Sequence, residues 1–365
     1  MVVKRIAASV VQRQVKYVTP VPVAAARGTL GEVYAQVSEE MGLVVPPVQL
    51  HSPVPDLAAA YWMLMRETLL PVGAVDRQTK EAVATAVSVA NICPYCVDMH
   101  SLGMYELGTE HDAEALVADK VEELDDEHTR LVATWARVAH QPEAALAGVL
   151  PFGPAERAEL VGVVVAMHYL SRMVNVFLSS FLIPPRLNAA GRRRFKRGAS
   201  IMLRSTLRAE RLPGRSVELL PSAPLPSGAE WAAGDPAIAS AVGRADATFE
   251  AAGVRSLTPT VRDLVRRRLG QWRGEETGLS RRWCERLVEE MPPAEQVAAR
   301  LALLTAFASY QVDEHVVREF RTWHPDDTAL LDVTAWASYV AARQVGTWYA
   351  PATLAAGPVE PSPGR

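Results

Sequence analysis

Residues 80–108 read KEAVATAVSVANICPYCVDMHSLGMYELG, and this stretch decides the fold and the chemistry together. An Ala/Val-rich helix begins near Lys80, breaks at Asn91-Ile92, and is followed by a second helix opening on Cys93-Pro94-Tyr95-Cys96. Proline has no amide hydrogen and a fixed φ, which the first turn of a helix tolerates, so Pro94 sets a helix start at Cys93. Cys96 and His100 are then four residues apart and Cys93 and His100 seven, which puts all three on one face. Glu81 joins them only if the chain turns back. On one unbroken helix it would lie about 28 Å from His100. With a reversal at Asn91-Ile92, the two positions come level in an antiparallel helix pair. A carboxylate would then orient an imidazole, and the imidazole could take a proton from Cys96: a nucleophile, a base and its orienter.

Glu81, Cys93-x-x-Cys96 and His100 at this spacing resemble the core motif of the AhpD-like alkylhydroperoxidase and carboxymuconolactone decarboxylase superfamily. The upstream DLAAAYWMLMRETLLPVGAVD and the downstream HYLSRMVNVF (His168 to Phe177) resemble it too, so the likeness covers roughly residues 50–185. One position departs, since the family's alkylhydroperoxidases carry a histidine between the cysteines and this chain has Tyr95. The resemblance implies an AhpD-like helical bundle and a thiol-dependent hydroperoxide or disulfide reductase. It implies that Cys96 is peroxidatic, that Cys93 resolves the resulting sulfenic acid, and that Glu81 and His100 form the relay. The partners implied are a hydroperoxide or disulfide substrate and a thiol electron-donor protein. No cofactor is implied beyond an external dithiol or protein thiol, and the assembly implied is a homo-oligomer. A cofactor-independent decarboxylase or proton-transfer enzyme is the alternative within the superfamily, but those decarboxylases work without the cysteine pair. A non-enzymatic redox-switch or assembly protein is the third reading.

A free thiol titrates near ~8.5 and only its thiolate attacks. Two effects are expected to lower that value here: the helix dipole at Cys93, and the imidazole of His100 one turn beyond Cys96. The dipole alone would favour Cys93 as the better thiolate, whereas the resemblance favours Cys96. Tyr95 serves either as packing or as a hydroxyl close to the thiols. Cys93, Cys96, His100 and Glu81 are also chemically acceptable to zinc. Structural zinc sites, however, usually draw a CxxC from a turn and add a distant second pair, which is lacking here, so no metal is expected. Cys284 has no sequence partner and reads as structural.

The chain has 365 residues, 49% hydrophobic, with a net charge of −3. That length suits two ordinary domains, and the near-neutral charge argues against a general nucleic-acid binder. Three cysteines make no disulfide scaffold, and the N-terminal stretch lacks the apolar core of a secretory signal, so a reducing, cytoplasmic setting is expected. The apolar run Val161 to Ile183 contains His168, Arg172 and Asn175, and reads as a buried bundle helix rather than a membrane span. Arg172 and Asn175 read as buried polar groups that fix helix contacts. No strand-period alternation of useful length occurs, so the expected class is all-α.

Residues 1–50 read as an N-terminal extension and 51–185 as the domain carrying the CxxC site. Residues 186–236 read as a basic segment and Pro-rich linker. The cluster Arg192, Arg193, Arg194, Lys196, Arg197 is expected to be a solvated helix face or the edge of a contact. In the second half, ASYQVDEH (Ala308 to His315) aligns without gaps on CPYCVDMH (Cys93 to His100), matching at Tyr310, Val312, Asp313 and His315. Residues 237–349 therefore read as a degenerate second copy that has lost both cysteines, with Gln296 in place of Glu81 and His315 a core-bonded relic. Residues 350–365 read as a disordered tail.

Overall fold

A computed structural model describes residues 14–146, 149–178, 181–183 and 186–350. Most of the expected tail, from 351 onward, and the first 13 residues of the expected extension lie outside them. The described residues form helices and short 3-10 turns, with a single isolated bridge, Val15 to Leu178, in place of any sheet. The class is all-α, as the sequence predicts.

In chain order the helices are α1 (Gly28–Met41), α2 (Pro46–His51), α3 (Pro55–Leu69), α4 (Arg77–Ala90), α5 (Pro94–Leu107), α6 (Glu110–Val117), α7 (Glu127–Val138) and α8 (Pro142–Leu146). There follow α9 (Pro154–Phe177), α10 (Ala189–Leu207), α11 (Pro236–Ser256), α12 (Pro259–Gln271), α13 (Arg282–Val288), α14 (Pro293–Ala308), α15 (Glu314–Arg321) and α16 (Asp327–Thr347).

Local chemistry sets the boundaries that matter. Asp76 caps α4 by accepting the Thr79 amide at 2.9 Å, an arrangement that satisfies one of the free N–H groups of the first turn. The helix closes at Asn91, and the chain reverses through Ile92 at φ +52°. A β-branched residue in that left-handed region is strained, so packing on both sides must hold the turn. Pro94 then opens α5, with Cys93 at the N-cap position and its amide bonded to the Ser88 carbonyl at 3.0 Å.

At the centre lies α9. It is long and apolar enough to cross a membrane by composition, yet 94% of its apolar window is buried inside the protein. One side packs on α3 and α4, and the other on α16. A buried ion pair between Lys80 and Glu159 ties α4 to it. The order of contacts repeats in the second half. As α4 packs on α9, so α14 packs on α16, and across the junction α3 meets α11 while α9 meets α16. Arg172 and Asn175 of α9 bond to the Ala306 carbonyl and the Ser309 hydroxyl, so both fix contacts with the second half.

The second half differs from the first at the place where the first carries its sulfurs. Ser309–Gln311 form a separate 3-10 turn, and α15 starts only at Glu314, capped by Asp313. That start is five residues later than the ungapped alignment with Pro94 would place it. His315 therefore sits in a first helical turn facing solvent, its side chain 60% exposed and 3.9 Å from Glu319. The expectation of a core-bonded histidine there is corrected: the delayed helix start turns it outward. Cys284 is buried, as a structural cysteine should be.

The basic cluster falls on α10, which lies along α5 and answers the acids of α5 and α6. Arg192 pairs with Asp98 (3.0 Å), Lys196 with Glu114 (3.0 Å), Arg197 with Glu110, and Arg204 and Arg208 both with Glu106 (2.8 and 2.6 Å). The Pro-rich segment after it is pinned to α1 and α3 through Arg211–Glu40 and through Glu67, which accepts the Gly214 and Ser216 amides at 2.7 and 3.0 Å.

Candidate active site

The reversal at Ile92 brings Glu81 of α4 level with His100 of α5, carboxylate Oε2 to imidazole Nδ1 at 2.7 Å. The other carboxylate oxygen accepts two bonds from Arg77, at 2.8 Å from Nε and 2.6 Å from Nη2. Burial by itself would raise the Glu81 carboxyl, but the Arg77 and His100 charges outweigh it and hold it down to about 2. Glu81 is thus an anion at any ordinary pH. It accepts the Nδ1–H hydrogen bond of His100, which leaves Nε2 as the ring's basic nitrogen.

Glycine at position 103 makes this pairing possible. A Cβ there would come within 2.8 Å of the Glu81 carboxyl carbon and 3.1 Å of Oε2. Arg77 and Gly103 escaped the sequence reading. The first had a visible signal, since it precedes Glu81 by one helical turn. The second had none, because the approach it permits is made by a neighbouring helix.

At the start of the same helix, the Cys93 and Cys96 sulfurs lie 2.7 Å apart. Both cysteines are free and almost wholly buried, 1% and 2% exposed. Burial pushes the Cys96 thiol well above its usual value, the adjacent Cys93 adds to this, and the nearby Ser171 hydroxyl of α9 works the other way. The expected lowering of the Cys96 thiol does not hold in this conformation, because loss of hydration outweighs any help from dipole or imidazole. Tyr95 is buried beside them, its hydroxyl donating to Gln14 Oε1 at 3.3 Å.

A cavity of about 270 Å³ opens beside the relay. Its wall is mostly apolar, with Trp62, Met65, Met99 and Leu170 from the bundle and Leu203 and Leu207 from α10. Tyr61, Tyr95, Glu81, Arg77 and His100 supply the polar groups. The contribution of α10 was not foreseen, since its sequence shows only charge. Among the described residues, no three His, Cys, Asp or Glu side chains converge as metal ligands, and Glu81 is committed to Arg77 and His100.

The family model described as "Carboxymuconolactone decarboxylase family" matches residues 55–118, which span α3 through α6 and contain Arg77, Glu81, Cys93, Cys96, His100 and Gly103. A Mycobacterium tuberculosis (strain H37Rv) protein named alkyl hydroperoxide reductase Rv2159c is 36% identical over 336 residues, covering 92% of this chain and 94% of that protein. The solved AhpD-core structure of a peroxidase-related protein from Ralstonia eutropha JMP134 overlaps 45% of this chain and 90% of its own, at 20% identity and a TM-score of 0.36. The near-complete match to the mycobacterial protein and the family pattern over the site together place this chain in the carboxymuconolactone decarboxylase family.

Proposed function

We propose that this protein is a thiol-dependent hydroperoxide reductase. The observation that carries the reading is the juxtaposition of two thiols 2.7 Å apart with an imidazole, one turn along α5, held by an ionised carboxylate. The name of the mycobacterial relative points the same way.

In the reaction, His100 Nε2 takes the Cys96 proton. The thiolate attacks the terminal oxygen of ROOH, the O–O bond breaks, and the alkoxide leaves as ROH with the proton returned by His100. Cys96 is now a sulfenic acid. The Cys93 thiol displaces its hydroxyl, giving a Cys93–Cys96 disulfide and water, and two thiols of an external donor restore the pair as their own disulfide. Atoms and electrons balance: one peroxide is reduced for each donor dithiol oxidised. Because the resting Cys96 thiol is protonated and buried, attack must follow an opening that admits substrate to it. The apolar cavity wall supports an organic hydroperoxide as the substrate.

Reduced protein supplied with cumene hydroperoxide and dithiothreitol tests this. Turnover is expected to vanish in Cys96→Ser, while Cys93→Ser, reduced and then freed of dithiothreitol before the hydroperoxide is added, forms one equivalent of alcohol and a dimedone-reactive sulfenic acid. Full turnover in Cys96→Ser would sink the assignment.

A further inference from the structure

A second pocket lies on the other side of the Asn91-Ile92 turn, between α9 and the second half of the chain. It is small, about 50 Å³, and mixed in polarity; at ~10–15 Å³ for each water-sized occupant it holds roughly four non-hydrogen atoms. Its wall includes Asn91, His140, His168, Arg172, Trp272 and Ser309. None of these takes part in the thiol chemistry above.

The polar groups around this pocket lack what buried charges require. Arg172 is 5% exposed. Its donors go to the Ala306 carbonyl (2.9 Å), the His168 carbonyl (2.7 Å), the Asn91 side-chain oxygen (3.2 Å) and His168 Nδ1 (3.1 Å). Every one of those acceptors is neutral, and among the described residues no carboxylate pairs with this guanidinium. Burial lowers the Arg172 pKa only to about 10, so the group stays charged. A buried charge without a counter-ion is costly, and proteins seldom leave one so. His168, 1% exposed, has its Nε2 buried with no hydrogen-bond partner, and the same holds for Nδ1 of His140, whose ring centroid is 6.0 Å away. Buried polar atoms are normally satisfied, so two unpartnered ring nitrogens beside an unbalanced cation suit a ligand that accepts hydrogen bonds and carries negative charge. Glu275 and Glu276 stand exposed at the rim, and the Glu275 oxygens are engaged by the Arg273 amide (2.7 Å) and Arg268 (3.4 Å). The roof is built for closeness: Gly274, at φ +88°, presses so near the His140 carbonyl that a Cβ would overlap it.

We infer that this pocket is a binding site for a small oxyanion, a single carboxylate or phosphate group, held by Arg172 with His168 and His140 as neighbouring donors. The anion supplies the charge the guanidinium lacks and accepts hydrogens from the two imidazoles. The inference stands apart from the peroxidase reading, since its readout is binding.

The test titrates full-length reduced protein with sodium acetate and, separately, inorganic phosphate at constant ionic strength in chloride-free Hepes buffer. It follows tryptophan emission, to which Trp272 in the pocket wall contributes, and the imidazole proton resonances of His140 and His168. Saturable changes in both signals are expected, and the tighter anion tells whether a carboxylate or a phosphate group is preferred. In Arg172→Gln and in His140→Leu the dissociation constant should rise at least tenfold. His140→Leu leaves the Arg172 bonds to Ala306 intact, so it reports even if Arg172→Gln fails to fold. No saturation with either anion, or equal binding in the folded variants, overturns the inference.

Discussion

Glu81 is the residue on which the site turns, and its environment gives two predictions. Its carboxyl is held at about 2, below the ordinary value of 4.5. It therefore contributes stability that is fully present above about 4.5 and is lost as pH falls toward 2. Arg77→Met removes one of the two charges that keep it low, so the acid limb of a urea-midpoint-versus-pH curve should move to higher pH. An unmoved limb would show that Arg77 does not hold the carboxylate. Gly103→Ala acts sterically on the same group: the new methyl would displace Glu81 from His100. Turnover should fall about 10²-fold with the helical circular dichroism unchanged, since misplacement by about 1 Å is enough for such a loss. Activity like that of the parent protein would mean that the relay is not used. Spacing made two contacts legible in the sequence, because one reversal brings Glu81 to His100 and one helical turn brings Cys93 to Cys96. The state of the Cys96 thiol was not legible, since it depends on how completely neighbouring helices exclude water.

Among the elements, α10 behaves unlike the rest. Its buried residues are only Lys196 and Ser200, and its hold on α5 and α6 is a row of ion pairs with mostly half-exposed arginines. Pairs whose arginines stay in solvent are weak and screened by salt. By contrast α9 is buried along nearly its whole length. Amide hydrogen exchange should accordingly be fast in α10 and slow in α9, and faster still in α10 at 1 M salt. Equal protection of the two helices would refute this. The run of arginines announced a charged helix, but its destination was hidden. The acids that receive it (Asp98, Glu106, Glu110 and Glu114) are scattered through α5 and α6 and look like ordinary surface charges in the sequence. The late start of α15 was hidden too, for an ungapped match of eight residues carries no information about where a helix begins.

For the whole molecule, the halves share one hydrophobic core rather than touching as separate bodies. The central helix α9 has one face on its own half and the other on α16, and α3 is covered by α11. A chain ending at residue 235 would expose those faces, and it is expected to be insoluble or molten, with near-ultraviolet dichroism lost. A soluble, cooperatively unfolding fragment would show that the first half stands alone. Trp336, fully buried on α16, packs against Gly253 of α11 so closely that a Cβ there would overlap the indole. Trp336→Ala should cost about 3–5 kcal/mol in urea denaturation, without touching the cysteine pair. The all-α class and the repeated order of elements were legible from hydrophobic periodicity and from the echo at residues 308–315. The shared core was not, because the same apolar stripe serves a domain surface or a domain interior.

The burial of both sulfurs, 1% and 2% exposed, also governs how the protein ages. A thiol that solvent cannot touch is equally closed to stray oxidants and alkylating reagents, so the resting protein should keep its reactive pair intact through storage in air. On the proposed reaction, vulnerability is confined to the openings that admit substrate to Cys96, and inactivation should track turnover rather than elapsed time.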